Sequence, residues 1–262
     1  MLVAILADVH SNLPALEVVV EYCHDHQVEV FFVIGDLVGY YTKPTEVVAL
    51  LQHQHTHTVM GNHDMSVVGG VFAEKFSPDF LGALTETFIA AQNLDALEAI
   101  AWSITRIHPS VAESLLEETY KRMTVEGVNL GLCHGMPQSI RGNLTDEVGG
   151  YLYTKVIEKH APALVEFCVR EQIDFLLSGH THYFHHVQLK HGSKVINLLN
   201  PGSVGQPRDG DPRTSFAVLD LEEGQCRNVE NIRLEYNVEL TKQGIYREKL
   251  PEALAKRLDH GV

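Results

Sequence analysis

Short apolar runs alternate with amphipathic segments along the first sixty residues. Buried strands are predicted at three of these runs: 2–7, 28–34 and about 58–60. Helices are predicted between the runs, at 13–27 and near 44–53. The first helix has Ser11 or Asn12 as its cap and Pro14 in its first turn. Such an alternation is typical of a parallel sheet that helices cover on both faces.

The segment from about 66 to 127 interrupts this alternation. Its pattern is mostly helical, as in 80-FLGALTETFIAAQNLDALEAIAW-102, and the segment cannot complete a sheet. We expect a helical insertion that packs as a cap over one end of the sheet. Because the sequence has no internal repeat, low-complexity segment or linker, residues 1–262 are expected to form a single domain.

The second half of the chain changes to a β pattern. Strands are predicted at 128–133, 174–179, 215–221 and about 229–236, together with a hairpin at 184–199 that turns near Gly192. Helices are predicted at roughly 161–172 and 251–259, and a Gly- and Pro-rich loop at 200–214. The whole pattern therefore predicts an α/β (α+β) fold.

The composition is that of an ordinary globular protein. Of 262 residues, 45% are hydrophobic and 21% are charged, and no apolar run is long enough to span a membrane. The N-terminus lacks the basic region of a signal peptide, so we interpret it as a buried strand. The four cysteines form no C-x-x-C pair, which favours reduced thiols in the cytoplasm over disulfides or a zinc knuckle.

The net charge of −14 comes from 34 acidic and 20 basic residues, without a block of like charges. Long nucleic acids usually bind a basic face, so this balance argues against them as partners and leaves a small substrate. An acidic protein that binds an anionic phosphate needs local positive charge, which a bound metal ion supplies. The oligomeric state stays open.

Polar clusters follow five predicted strands at the point where each strand ends. The clusters are Asp8-x-His10, Gly35-Asp36, Gly61-Asn62-His63-Asp64, His134-Gly135 and Gly179-His180-Thr181-His182. Ligand sites in open α/β sheets lie outside the carboxyl ends of the strands, so the clusters are expected to converge. Each cluster alone has an ordinary alternative, such as a loop triplet or a histidine satisfied in the core. All five in order favour a common site.

The donor types in these clusters are carboxylate, imidazole and amide, without thiolate. Mixed oxygen and nitrogen donors suit manganese, iron, zinc, cobalt or nickel rather than a cysteine-based structural zinc. His180 and His182 are two residues apart, so on an extended backbone their rings face the same side. The pattern therefore predicts a site for divalent metal ions.

The order D-x-H, G-D, G-N-H-D, H-G and G-H-T-H resembles the signature of the calcineurin-like metallophosphoesterases. Flanking residues are also similar to a small bacterial branch of predicted phosphodiesterases: Asp8-Val-His10-Ser-Asn12, Gly35-Asp36-Leu-Val-Gly39-Tyr40 and Asn200-Pro201-Gly202-Ser203-Val204-Gly205. The resemblance covers residues 1 to about 222. It implies a two-sheet β-sandwich flanked by helices, with the insertion as its least constrained part.

The resemblance also implies roles for individual residues at two divalent metal ions, with manganese favoured. The ligands implied for one ion are Asp8, His10, Asp36 and His182. The ligands implied for the other are Asp36, Asn62, His134 and His180, so that Asp36 bridges both ions. His63 is then the acid that protonates the leaving oxygen, with Asp64 orienting its ring, while a metal-bridging hydroxide attacks the phosphorus.

Substrate contacts are expected from residues near the clusters. The candidates are Asn12, Tyr40, Arg141, Arg208 and Arg213. The planar fork of arginine suits phosphate recognition, whereas the ordinary alternative is a solvated loop arginine or a packed tyrosine.

Two dications, two carboxylates and one hydroxide leave a net charge of about +1 at the site, which a phosphodiester monoanion neutralises. The sequence therefore favours a phosphodiesterase. A phosphomonoesterase or protein phosphatase, and a dinucleoside-polyphosphate hydrolase, share the same motifs and stay open as alternatives. A non-catalytic metal-binding scaffold for protein interactions is a different class, and the presence of His63 and of every implied ligand argues against it.

Overall fold

Two five-stranded sheets pack face to face, with helices on their outer faces, in a computed structural model that describes residues 1–90, 93–137 and 151–262. The strands are β1 (Leu2–Leu6), β2 (Val30–Ile34), β3 (Thr56–Val59), β4 (Tyr120–Val125), β5 (Val128–Cys133), β6 (Phe175–Leu177), β7 (Phe184–His191), β8 (Lys194–Pro201), β9 (Thr214–Glu222) and β10 (Gln225–Leu234). The helices are α1 (Leu13–Asp25), α2 (Pro44–Gln52), α3 (Asn62–Val71), α4 (Pro78–Ala90), α5 (Leu94–Arg106), α6 (Pro109–Ser114), α7 (Thr154–Arg170), α8 (Val238–Glu248) and α9 (Glu252–His260). The predicted two-sheet α/β fold is confirmed.

The first sheet has the strand order β10-β9-β1-β2-β3. Strands β1, β2 and β3 are parallel, whereas β9 and β10 are antiparallel to their neighbours. The carboxyl ends of β1, β2 and β3 therefore lie at the same edge of the sheet.

The second sheet has the order β4-β5-β6-β8-β7, in which β5, β6 and β8 are parallel. Its strand ends meet those of the first sheet closely at Gly179. A Cβ atom added at Gly179 would lie 3.0 Å from both the Ala7 Cβ and the Ile34 carbonyl oxygen. A glycine here lets the ends of β1, β2 and β6 converge on one site.

Strand β1 is buried on both faces, which explains its continuous apolar sequence. Val3 and Ile5 belong to the core between the sheets, together with Leu130 of β5. Ala4 and Leu6 face the opposite way, into the core that the first sheet shares with its helices. Alternate residues of one short strand thus serve two cores.

Helix α1 starts as the sequence predicts. Asn12 is its N-cap and accepts a hydrogen bond from the Ala15 backbone N–H at 3.4 Å, and Pro14 lies in the first turn. The side chains of Cys23, Cys133 and Cys168 are buried, and that of Cys226 is half-buried.

The predicted 66–127 insertion needs correction at its carboxyl end. Helices α3 to α6 occupy 62–114, but residues 120–125 form β4, which pairs with β5 along its whole length. This strand was missed because its burial is only partial and its alternation is short.

Two further predictions differ from the structure. Helix α7 begins at Thr154 rather than near 161, and it accommodates Pro162 in its interior. Helix α8 was missed, since its segment VELTKQGIYRE is mostly polar and lacks a strong apolar period. In the described ranges, no helix is both long and apolar enough to cross a membrane.

Candidate metal centre

Left-handed backbone conformations mark the ends of the strands that carry the predicted ligands. The residues with positive φ there are Asp8 (54°), His10 (51°), Asp36 (55°), His180 (67°) and His182 (61°). Residues other than glycine rarely adopt this conformation, and such outliers cluster at functional sites. The sharp turns direct these side chains into one buried region.

Three donor atoms converge from the loop after β1 and from the loop after β6. His10 Nε2 lies 3.1 Å from His182 Nε2 and 3.8 Å from Asp8 Oδ1, while His182 Nε2 lies 3.2 Å from the same carboxylate oxygen. Ligand atoms that each lie about 2.1 Å from one metal ion are roughly 3–4 Å apart. The spacing of these three atoms therefore fits one metal ion.

A second group comprises Asp36, His134 and His180, with candidate donor atoms within 4.8 Å of one another. Asp36 Oδ2 lies 3.2 Å from His134 Nε2 and 3.7 Å from His10 Nε2, so the carboxylate is placed between the two groups. Its other oxygen accepts a 2.8 Å hydrogen bond from the His63 backbone N–H. Asp36 thus belongs to the second group and lies next to His10 of the first group.

Two of the predicted ligand rings are held by backbone carbonyls, which no sequence motif identifies. His182 Nδ1 donates to the Gln206 carbonyl at 2.5 Å, and His134 Nδ1 donates to the Ile34 carbonyl at 2.6 Å. These bonds leave Nε2 of each ring as the atom with a lone pair facing the site. Carbonyl partners of this kind orient metal-binding histidines in many proteins.

The protonation preferences also suit a metal site. Burial lowers the pKa of His10, His180 and His182, so these rings are neutral, the form that binds metal ions. Burial opposes charge on His134 as well, but Asp36 and Asp8 outweigh it and raise the pKa of His134 to about 10. A bound cation replaces that proton when the metal site is formed.

Several buried polar atoms at the site have no hydrogen-bond partner among the described residues. They include Asn62 Oδ1 and His180 Nε2. A buried polar atom without a partner is costly, and both atoms are of the types that bind divalent ions. The residues present therefore fit a metal centre, and the chain binds divalent metal.

His63 forms a third set of possible donor atoms with His10 and Asp36, within 4.8 Å of one another. Its ring packs edge-on against His10 and Phe88, with centroids 4.6 Å and 5.1 Å away. Burial lowers the pKa of His63 to about 4. Its Nδ1 is buried beside the backbone of Gly39, where an added Cβ atom would lie 2.5 Å from it.

The prediction that Asp64 orients the His63 ring is wrong. The Asp64 carboxylate instead accepts hydrogen bonds from the backbone N–H groups of Val38 at 3.0 Å and Gly61 at 3.1 Å. Because both oxygens are used in this way, Asp64 fastens the loop after β2 to the start of α3. It supports the site rather than the ring.

The predicted substrate residues separate into two groups. Tyr40 and Arg208 line the cavity at the metal centre, and an Arg208 guanidinium N–H donates to the Tyr40 hydroxyl at 3.1 Å and to Gln206 Oε1 at 2.8 Å. Arg213 instead pairs with Asp211 on the surface. Arg141 lies outside the described residues.

Asn12, which was also predicted to contact the substrate, lies away from the cavity. It is completely buried, and its side chain donates to the Gly205 carbonyl and the Tyr236 hydroxyl while accepting from Thr241 Oγ1. It stabilises the fold behind the site and does not contact the cavity.

The cavity has a volume of about 100 Å³. The described residues that line it are Asp36, Tyr40, Asn62, His63, Phe88, Asn93, Tyr151, His180, His182 and Arg208. Phe88, Asn93 and Tyr151 were not identified from the sequence, because no local motif marks a residue that reaches the site only through tertiary packing.

Comparison with known proteins agrees with this geometry. A family model described as the calcineurin-like phosphoesterase superfamily domain matches residues 1–224. An uncharacterized protein of Methanocaldococcus jannaschii is 27% identical over 98% of this chain and 97% of its own length.

Two solved structures are similar over nearly their whole length. A metallophosphoesterase from Sphaerobacter thermophilus has 26% identity and a TM-score of 0.72, with each chain fully covered. A hypothetical protein from Pyrococcus horikoshii has 20% identity and a TM-score of 0.76, over 100% of this chain and 98% of the other. The second similarity concerns the fold alone.

Proposed function

We propose that this chain, which belongs to the calcineurin-like phosphoesterase superfamily and is a metal-dependent phosphoesterase, hydrolyses phosphodiesters at a dinuclear metal centre. The observation that carries the proposal is the pair of donor groups at one cavity, with the Asp36 carboxylate between His10 of one group and His134 of the other. One ion is assigned to Asp8, His10, Asp36 and His182. The other is assigned to Asp36, Asn62, His134 and His180.

Bound divalent ions supply an activated water molecule and neutralise the charge on the phosphoryl oxygens. The donor set, oxygen and nitrogen without sulfur, suits manganese, iron, zinc, cobalt or nickel, and we favour manganese from the family resemblance. The chain contributes the walls of the site, which exclude bulk water around buried Asp36 and His63.

We assign His63 as the acid that protonates the leaving oxygen. Its Nδ1 is buried against Gly39, which leaves Nε2 as the proton donor to the cavity. Burial is the largest cause that lowers the pKa of His63 to about 4, and a phosphate ester anion beside the ring favours the imidazolium that donates the proton.

Arg208 supports a second candidate function. Its guanidinium lies at the cavity and adds one positive charge to the net charge of about +1 expected for the ions, carboxylates and hydroxide. With Arg208 the net charge of the site is about +2, which a phosphomonoester dianion neutralises. Without the arginine the net charge is about +1, which a diester monoanion neutralises. Phosphomonoester hydrolysis is therefore the alternative that the structure favours.

Turnover of an aryl phosphodiester and of an aryl phosphomonoester distinguishes the two candidates. The measurement compares kcat/KM for bis(4-nitrophenyl) phosphate and 4-nitrophenyl phosphate after chelation and reloading with manganese, iron, zinc, cobalt or nickel. We expect a higher kcat/KM for the diester in the wild type, and a larger loss for the monoester in Arg208→Gln. Faster monoester hydrolysis with every metal would replace the proposal by the alternative.

A further inference from the structure

Three exposed tyrosines continue outward from the wall of the metal cavity. Tyr151 lines the cavity, and its ring centroid lies 4.3 Å from that of His180. Tyr153 stacks beside Tyr151 with centroids 5.5 Å apart and planes only 7° apart, and Tyr183 meets Tyr153 edge-on at 6.0 Å. We call Tyr151, Tyr153 and Tyr183 the tyrosine shelf.

All three tyrosines of the tyrosine shelf are exposed. The exposed fractions are 40% for Tyr151, 39% for Tyr153 and 41% for Tyr183. Contiguous exposed apolar surface beside a polar cavity marks a place where a ligand binds. Exposed aromatic rings stack on planar partners, and they do so with any base because every base has a π-face.

The charges around the cavity assign the two parts of such a ligand. Arg208 and the proposed metal ions attract an anionic phosphate, whereas the tyrosine shelf carries no charge and suits a neutral planar ring. Phe88 and Asn93 of the helical segment also line the cavity. A substrate that extends from the cavity onto the tyrosine shelf therefore passes Tyr151. The base of a nucleoside phosphate is a neutral planar ring joined to the phosphate through one sugar.

From this arrangement we infer that the tyrosine shelf binds the base of a small nucleoside phosphate ester while the phosphate occupies the metal cavity. The inference rests on the proposed function, since it extends the same site. It makes Tyr153 and Tyr183 specificity-determining residues that do not touch the reacting atoms. The net charge of −14 argues for a small ester rather than the end of a long nucleic acid.

A binding experiment tests the inference without relying on turnover. Calorimetry on the manganese-loaded protein compares adenosine 5′-monophosphate with ribose 5-phosphate, which differ only in the base, and chromatography checks that both ligands stay intact. Stacking on exposed aromatic rings predicts that the nucleotide binds on the order of 10-fold more tightly. Tyr153→Ala is expected to remove most of that difference, whereas Tyr153→Phe keeps it because the π-face remains.

Tyr246→Ala is the matched control, since Tyr246 is a comparably exposed tyrosine, at 51%, on α8 and outside the shelf. It should leave both affinities unchanged, and metal content is measured for each variant. Equal affinity of the wild type for the two ligands would overturn the inference. So would an equal loss for both ligands in Tyr153→Ala, which would indicate a structural role.

A short oligothymidylate completes the test, because tighter binding than that of a mononucleotide would overturn the assignment to a small ester. The inference and the proposed function fail separately. Preferential nucleotide binding without hydrolysis of either aryl ester supports base binding by the tyrosine shelf and contradicts the proposed phosphodiesterase activity. Hydrolysis of the aryl diester with equal binding of the two ligands does the reverse.

Discussion

Backbone strain accompanies the donor side chains at the scale of single residues. A left-handed conformation costs a residue other than glycine about 1–2 kcal/mol, and both Asp8 and His10 adopt it. Such conformations persist only where the surroundings hold them. Here His10 N donates to the Asp36 carbonyl at 2.9 Å, and Ser203 Oγ donates to the Asp8 carbonyl at 2.7 Å. The site is therefore preorganised by backbone contacts between strand ends.

Gly39 provides a test of this close packing. Its φ is +129°, and a Cβ atom would lie 2.5 Å from His63 Nδ1 and 3.0 Å from His10 Nδ1. Gly39→Ala is expected to lower the free energy of unfolding by about 2 kcal/mol and to slow turnover, because His63 has to move. Denaturant unfolding and diester turnover measure the two effects.

Gly82→Ala is the control for Gly39→Ala. Gly82 lies inside α4, and no described atom beyond its own helix backbone comes within 4 Å of an added Cβ, so alanine there should raise the unfolding free energy by about 0.5–1 kcal/mol and leave turnover unchanged. Equal behaviour of the two variants would contradict the packing argument.

Substitution of His63 distinguishes a role in acid catalysis from a role in metal binding. If His63 protonates the leaving oxygen and binds no ion, His63→Ala keeps both ions and lowers the rate by roughly 10²–10⁴ for an ester with a poor leaving group. The loss is smaller for nitrophenolate, which needs little proton assistance. Metal analysis and turnover of two esters with different leaving-group pKa values provide the measurement.

His134→Ala is the matched comparison, since it removes a proposed ligand and should weaken one ion for every ester. Equal losses for both esters in His63→Ala, together with loss of metal, would identify His63 as a ligand instead. The role assigned to it would then be wrong.

At the scale of elements, the site is built from strand ends, and this part was predictable. Asp8 follows β1 and Asp36 follows β2, and parallel strands of one sheet end at the same edge. The sequence therefore predicted which polar residues meet. Asn12 shows the limit of that reasoning, because a residue beside a motif can serve the fold, and only its contacts with Tyr236 and Thr241 reveal this.

What the sequence did not predict depends on tertiary packing. The carbonyl of Gln206 orients His182 from a loop 24 residues away, and any residue type supplies a carbonyl. Strand β4 lies in a segment with a weak alternation and becomes a strand by pairing with β5. Neither feature leaves a signal in local composition.

The helical segment that precedes β4 is proposed to act as a cap that selects the leaving group. Phe88 of α4 lines the cavity and packs against His63. Phe88→Ala is expected to raise kcat/KM for bulky esters relative to small ones by about 10-fold, or about 1.4 kcal/mol, because removal of the ring makes room in the cavity wall for a larger leaving group. Metal content should not change.

Ile89→Ala is the control for the cap, since Ile89 is the next residue of α4 and is 46% exposed. It should leave the ratio between bulky and small esters as in the wild type. An unchanged ratio in Phe88→Ala would show that the helical segment does not select substrates.

At the scale of the whole molecule, residues beyond the matched domain support the site from behind. Helix α8 holds Asn12 through Thr241, and the Gly261 carbonyl accepts a 2.9 Å hydrogen bond from Gly210 N–H in the loop that carries Arg208. The carboxyl-terminal helices thus connect α1 with the substrate loop. The stability of the fold and the geometry of the site are therefore coupled.

Metal removal should reveal this coupling as a change in global stability. Asp8 and Asp36 are buried carboxylates, and an ion that binds only the folded chain stabilises it by about 2.7 kcal/mol at 100 times its Kd. Chelation is expected to abolish turnover and lower Tm, and Mn²⁺ should restore both. Asp36→Asn should lower the occupancy of both ions because Asp36 is assigned to both, whereas His180→Ala should weaken one. Asp220→Asn, on β9, serves as the control for loss of a carboxylate. Metal stoichiometry and thermal unfolding with and without Mn²⁺ measure these effects; full activity after chelation, or two tightly held ions in Asp36→Asn, would rule out the shared dinuclear centre.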